Sequence, residues 1–167
     1  VVGVNDEVLH LGDFALNTTE AICNELLYKL NGRIYLLWGN HNAGVKDIYS
    51  DMIPVSSRVP GDVEMYPLSR DNKFTFLGNQ ISGSINKVMF SASHFPLSVW
   101  DKSHHGAVQF CGHSHGSYKE TLPDHKIGKR LDCGIEVLGK PTRFIDIMRI
   151  MDKKSIGIVD HHNHETT

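Results

Sequence analysis

Short apolar runs that end at a glycine or a polar cluster recur along the chain. Val8 to Leu11 runs into Gly12-Asp13, and Ile34 to Trp38 runs into Gly39-Asn40-His41-Asn42. Runs of this length, closed by turn residues, read as buried strands opening into loops. Between them Asn17, with Glu20 three positions on, reads as a capping box that starts a helix. Ile22, Leu26 and Leu30 make that helix's expected inward stripe, and Asn31-Gly32 supplies a left-handed stop. Strand, helix, strand in this order is one crossover of a parallel layer.

Beyond Met52 the texture changes to strand-like runs separated by Gly, Asn and Ser. These are Val63 to Leu68, Phe74 to Leu77, Lys87 to Phe90, Val108 to Cys111 and Arg130 to Glu136. Phe144 to Met151 fits either a helix or a strand. The pattern predicts an α/β domain with two packed sheets or one large mixed sheet.

Composition narrows this picture. The chain has 167 residues, 40% of them hydrophobic, which suits one domain with a core of its own. No apolar stretch is long enough for a membrane span, and no secretion leader is visible. Cys23, Cys111 and Cys133 are odd in number and scattered, which argues against a disulfide framework and for a reducing, cytoplasmic setting. With 17 basic and 19 acidic residues, the net charge of -2 gives no electrostatic case for a nucleic-acid binder. It leaves room for a nucleotide or another phosphorylated small molecule held through metal ions. Because the chain opens on Val1-Val2, the sequence is expected to begin inside its domain.

Eleven histidines are the first chemical hint, since imidazole is the commonest metal ligand. Four strand ends carry similar punctuation: Gly12-Asp13, Gly39-Asn40-His41, Ser93-His94-Phe95-Pro96 and Gly112-His113-Ser114-His115-Gly116. In α/β folds, loops at the carboxyl ends of strands gather along one edge, where sites are built. One carboxylate, one amide oxygen and three imidazoles make a mixed O/N donor set without thiolate. That set suits Mn, Fe or Zn better than Ca or a structural cysteine-rich zinc site. A carboxylate can bridge two cations and a neutral imidazole cannot, so Asp13 is the natural bridge. On a loop, His113 and His115 could serve two adjacent metals.

The ordered set Gly-Asp, Gly-Asn-His, His and Gly-His-x-His resembles the calcineurin-like metallophosphoesterases. Leu9-His10-Leu11-Gly12-Asp13-Phe14 and Ser93-His94-Phe95-Pro96-Leu97 are similar to the short phage and bacterial members. The likeness runs from about Asp6 to about Ile147, within a domain taken as 1–154 followed by a tail at 155–167. It implies a four-layer αββα sandwich of two mixed β-sheets flanked by helices, with a dinuclear metal centre at the sheet edge. Carried over, Asp13 bridges two divalent ions, Asn40, His94 and His113 complete the second, and His115 ligates the first. His41 contacts the phosphate and can protonate the leaving oxygen. The implied activity is hydrolysis of a phosphomonoester or phosphodiester by metal-activated water.

Several departures qualify the likeness. The family's opening strand, ending in Asp-x-His, has no counterpart before Gly12-Asp13. The first metal then keeps only Asp13 and His115, whereas the second keeps a full set, so occupancy by one ion is compatible with the residues. A catalytically idle scaffold on the same fold is the alternative this raises. Asp160-His161-His162, after the apolar run Ile156 to Val159, is another Asp-x-His, though such a tail reads first as solvated. Asn42 stands where an acidic residue often follows, and neither Leu16 nor Asn17 supplies the acid that supports the catalytic histidine in some members. Taken singly, Asp13 and Gly39-Asn40 read as turn residues, His94 as a satisfied histidine at a strand end, and His113-Ser114-His115 equally as a ligand pair or a polar loop. Their joint order, at spacings of 27, 54 and 19 residues from Asp13 through Asn40 and His94 to His113, favours a metal site. His104, His105 and His125 read as polar loops, His10 as strand packing, and Cys111, Trp38, Trp100, Met148 and Met151 as core or rim residues.

Overall fold

Glu7–His10 (β1) and Arg33–Leu36 (β2) lie side by side and parallel, with Val8 opposite Ile34 and His10 opposite Leu36. The helix Glu20–Lys29 (α1) connects them, so the crossover read from the sequence is present. A computed structural model describes residues 2–16, 18–41, 66–67, 73–118 and 128–157. Asn17, Asn42, most of Val63 to Leu68, His125 and Asp160 to His162 lie outside the described residues. The chain divides into two compact units, Val1–Ile81 and Ser82–Thr167.

In the first unit the sheet order is β1-β2-β4-β3, where β3 is Tyr66–Pro67 and β4 is Phe74–Phe76. Strand β4 runs parallel to β2, and β3 runs antiparallel to β4, so the sheet is mixed. Phe74 and Phe76 are buried with Ile34, Leu36, Ala15, Cys23 and Leu27, and Val8, Phe14 and Trp38 pack against them. The stripe expected on α1 is therefore wrong by one position. Cys23 and Leu27 face inward, while Ile22, Leu26 and Leu30 are 49%, 40% and 42% exposed. One residue turns a helix face by about 100°. The aromatic rings of Phe14, Phe74 and Phe76 fill the layer, and the helix seats its smaller row, Cys23 and Leu27, beside Ala15. The helix also starts later than the capping box predicts. Thr19 is the N-cap in an extended conformation, with no side-chain cap bond. The glycine stop holds: Gly32 has φ +86, and a Cβ there would lie 2.7 Å from the Asp6 carbonyl oxygen.

The second sheet has the order β5-β6-β7-β8. Strand β5 (Gln80–Ile85) was not legible as a strand, because Ser82, Gly83 and Ser84 read as separators. It joins β6 (Val88–Ser93) through Asn86-Lys87, both left-handed at φ 51 and 67, the two-residue turn that matches the twist of a hairpin. Strands β6, β7 (Val108–Cys111) and β8 (Arg130–Asp132) run parallel, so this sheet too is mixed. The strand expected over Arg130 to Glu136 stops at Asp132, and Ile135–Leu138 is a short helix, α2. The Asp132 carboxylate accepts the Gly134 backbone N–H at 2.9 Å and turns the chain out of the sheet. Phe144–Met151 is a helix, α3, burying Ile147 and Met151 and setting Phe144 edge-on to Phe110. Among the described residues the architecture is α/β with two mixed four-stranded sheets. Among the described residues, no helix is long and apolar enough to cross a membrane.

Candidate metal-ligating site

In the first unit two strand ends meet. Asp13 follows β1 with φ +57, a left-handed conformation that Asp, Asn and Gly tolerate best. Its Oδ1 accepts the backbone N–H of His41 at 2.8 Å. This contact explains Gly39. A Cβ there would sit 2.1 Å from Asp13 Oδ1 and 2.4 Å from the Asp13 backbone nitrogen, so only glycine lets the loops approach. The Gly-Asp and Gly-Asn-His motifs, 27 residues apart at Asp13 and Asn40, thus form one structural junction. Asn40 and His41 are exposed on it, and Asp13 is half-buried. His10 packs edge-on to Phe14 with ring centroids 5.5 Å apart, as expected of a strand residue.

In the second unit two more strand ends meet. His94 follows β6 and is 3% exposed, and its carbonyl accepts the Gly112 N–H at 3.0 Å. His113 follows β7 with φ +63, and its ring lies 5.0 Å from that of His94, centroid to centroid. A ring nitrogen of each lies within 4.8 Å of one of the other. Imidazoles sharing one tetrahedral ion at about 2.1 Å per bond stand roughly 3.4 Å apart. Phe95 is 48% exposed and stands edge-on to both imidazoles, at 4.9 and 4.5 Å, shielding their apolar sides. His115 takes φ +47 and faces Glu136, with Nδ1 3.4 Å from Oε1, both side chains exposed. Of the described His, Cys, Asp and Glu side chains, Asp13 in the first unit and His94 and His113 in the second are candidate metal ligands by geometry.

Beneath the histidines lies a row of buried polar residues that the sequence reading passed over. Gln109, fully buried in the middle of β7, accepts the Leu97 N–H at 3.2 Å and donates to Ser93 Oγ at 3.1 Å and the Phe95 carbonyl at 3.4 Å. It holds the turn that carries His94. Its register partner Arg130 donates to the Leu97 carbonyl and stacks its guanidinium 4.8 Å from the Tyr118 ring centre. Asp132 accepts Ser114 Oγ–H at 2.6 Å and the Gly116 N–H at 2.8 Å, holding the loop that carries His113 and His115. The available signal was a polar residue inside each apolar run, since a buried polar side chain persists only where it is hydrogen-bonded.

The remaining expectations fall into place. Trp100 is buried with its indole N–H on the Ala107 carbonyl at 2.9 Å, and Met151 is fully buried. His104 and His105 stack at 4.1 Å on a 3-10 turn, Ser103–His105. A separate groove of about 290 Å³, lined by Lys87, His105, Lys129 and Met148 among others, includes none of the candidate ligands. Burial raises the thiol pKa of Cys111, and Cys133 is pushed up to about 12 by burial and then by the Asp132 charge. Both are expected to stay unmodified by iodoacetamide at pH 8 until the chain is unfolded, as mass spectrometry would read. The sign for stability follows. An unfolded thiol releases its proton near pH 9, while folded Cys133 keeps it to about 12, so stability falls as pH rises across that window. No family model, curated protein or solved structure matches the chain.

Proposed function

We propose that the chain is a metal-dependent phosphoesterase whose candidate metal ligands include Asp13, Asn40, His94 and His113. His115 would supply a ligand to a second ion. The observation that carries this reading is the His94–His113 pair, two imidazoles on adjacent strand ends with nitrogens within 4.8 Å. The donor types fit Mn, Fe or Zn, combining one anionic oxygen with neutral nitrogens and no thiolate. The same residues stand in the order and spacing that resemble the calcineurin-like metallophosphoesterases. The four-layer αββα fold that the resemblance implies belongs to this proposal as well.

When bound, a divalent ion would acidify a coordinated water and offset charge on the phosphoryl oxygens. The chain's own residues supply the rest. Asp13 brings the negative charge that favours a cation, and its tie to the His41 backbone fixes where that histidine starts. His41, exposed at the end of the junction, could hold a proton for the departing oxygen. Phe95 would keep bulk water from one side of the imidazole pair.

The test is Mn(II) titration by calorimetry together with hydrolysis of a bis-aryl phosphodiester and an aryl phosphomonoester. Mn-dependent release of the aryl alcohol, abolished by EDTA, is the expected result. Binding without turnover of either ester would leave a metal-binding module and overturn the hydrolase. Absence of binding would overturn the metal centre itself.

A further inference from the structure

We infer that Asp132 is a positioning residue that sets the affinity of the His113-Ser114-His115 loop for metal. This rests on the metal reading above and deepens it. Asp132 ends β8, opposite Cys111 in register, and is fully buried. Its two oxygens accept three hydrogen bonds: Ser114 Oγ–H at 2.6 Å and Gly116 N–H at 2.8 Å on Oδ2, and Gly134 N–H at 2.9 Å on Oδ1. Two of the three donors belong to the histidine loop and bracket His115.

The geometry explains why a carboxylate stands there. His113 and His115 both take left-handed backbone conformations, which a side chain with a Cβ disfavours. The loop cannot be held by its own preferences, so it is held from below. A carboxylate is acceptor-only and can receive donors on both oxygens. Asparagine cannot replace it, because its amide NH2 would face either Gly134 N–H or the Ser114 and Gly116 donors. In a buried setting, donor facing donor is the costlier error. Asp132 grips Ser114 and the Gly116 amide, so it acts on the imidazoles through the loop that carries them. It presets the directions of His113 and His115, and that ordering need not be supplied when a cation arrives.

Two variants test this, Asp132→Asn and Ser114→Ala, read by amide hydrogen exchange at Gly116 and by Mn(II) affinity from calorimetry. The Ile147 amide, bonded to the Arg143 carbonyl in α3, serves as the internal reference. Asp132→Asn should speed Gly116 exchange at least about tenfold relative to Ile147 and weaken Mn binding about 10- to 100-fold. Ser114→Ala removes one donor and leaves the carboxylate its other two, so both shifts should keep their direction and shrink to a few-fold. Unchanged Gly116 exchange overturns the inference. So does faster exchange with unaltered Mn affinity, which would make Asp132 merely structural. Should Asp132→Asn fail to fold, Ser114→Ala decides by the same two readings. Should the wild type bind no Mn, the inferred effect on affinity falls along with the metal reading, and Gly116 exchange then reports only whether Asp132 orders the loop.

Discussion

Replacing Asp13 with alanine is expected to abolish divalent-metal binding and the phosphoester hydrolysis that depends on it. The carboxylate is the only anionic side chain in the proposed ligand set, and neutral imidazoles alone offset little of a dication's charge. Alanine also removes the acceptor for the His41 N–H and places a Cβ residue without a polar side chain at φ +57. That conformation costs about 1–2 kcal/mol in a residue of this kind. Asp13→Asn separates the two effects, because asparagine tolerates the left-handed region and keeps an oxygen for His41. Asp13→Asn should therefore retain thermal stability while losing Mn affinity by more than about 100-fold, beyond what a supporting residue costs. Calorimetric titration and a melting curve on the same samples read both. Wild-type affinity in Asp13→Asn would remove this residue from the ligand set.

The second large effect is expected at Gly39. An alanine there brings a Cβ to 2.1 Å from one Asp13 atom and 2.4 Å from another, distances no packing adjustment of a few tenths of an ångström can absorb. The junction between the two loops must open, breaking the Asp13–His41 bond and moving both residues. Overpacking of this severity, with the loss of a bond to a charged group, should cost about 3 kcal/mol. Urea denaturation measures it. Gly3→Ala is the control, since its Cβ would meet nothing closer than 3.5 Å, and it should stay within about 0.5 kcal/mol of wild type. Equal midpoints for the two variants would mean that the junction is not closed in solution.

Much of this was readable from residues alone, and the pattern of what was not is physical. The strands at Val8, Ile34, Phe74 and Val108 were legible because each is an apolar run stopped by polar or glycine residues. The parallel crossover followed from their order around α1. Strand β5 was hidden because Ser and Gly make poor strand signals, and its pairing comes from the hairpin turn at Asn86-Lys87. The inward face of α1 was misjudged because Cys23 is a small residue beside the larger Ile22. Size alone does not decide which row a crowded aromatic layer accepts. The end of β8 was misplaced because Ile135 to Leu138 reads equally as strand, and only the Asp132 to Gly134 bond shows where the chain turns.

The candidate ligands divide in the same way. Asp13, His94 and His113 were found by residue type at strand ends, where chemistry is visible as a break in an apolar pattern. Gln109, Arg130 and Asp132 were missed because they sit inside the runs, where a polar letter looks like an interruption of the strand. Apart from the local Asp132–Gly134 bond, the partners that give them their role lie 12 to 33 residues away, which no local window contains. The junction at Gly39 is an intermediate case. Gly39 was read as one of the turn residues that close an apolar run, but that the Asp13 carboxylate occupies the space its missing Cβ leaves is a fact of tertiary structure.

The bond from the Gly112 amide to the His94 carbonyl has a mechanical corollary. It fastens the two imidazole-bearing backbones directly to each other, in addition to the ties that Gln109 and Asp132 make to them. Thermal displacement of either is then shared by its neighbour, and the gap between the rings fluctuates less than the absolute position of each. A pincer linked at its base in this way keeps its jaws set.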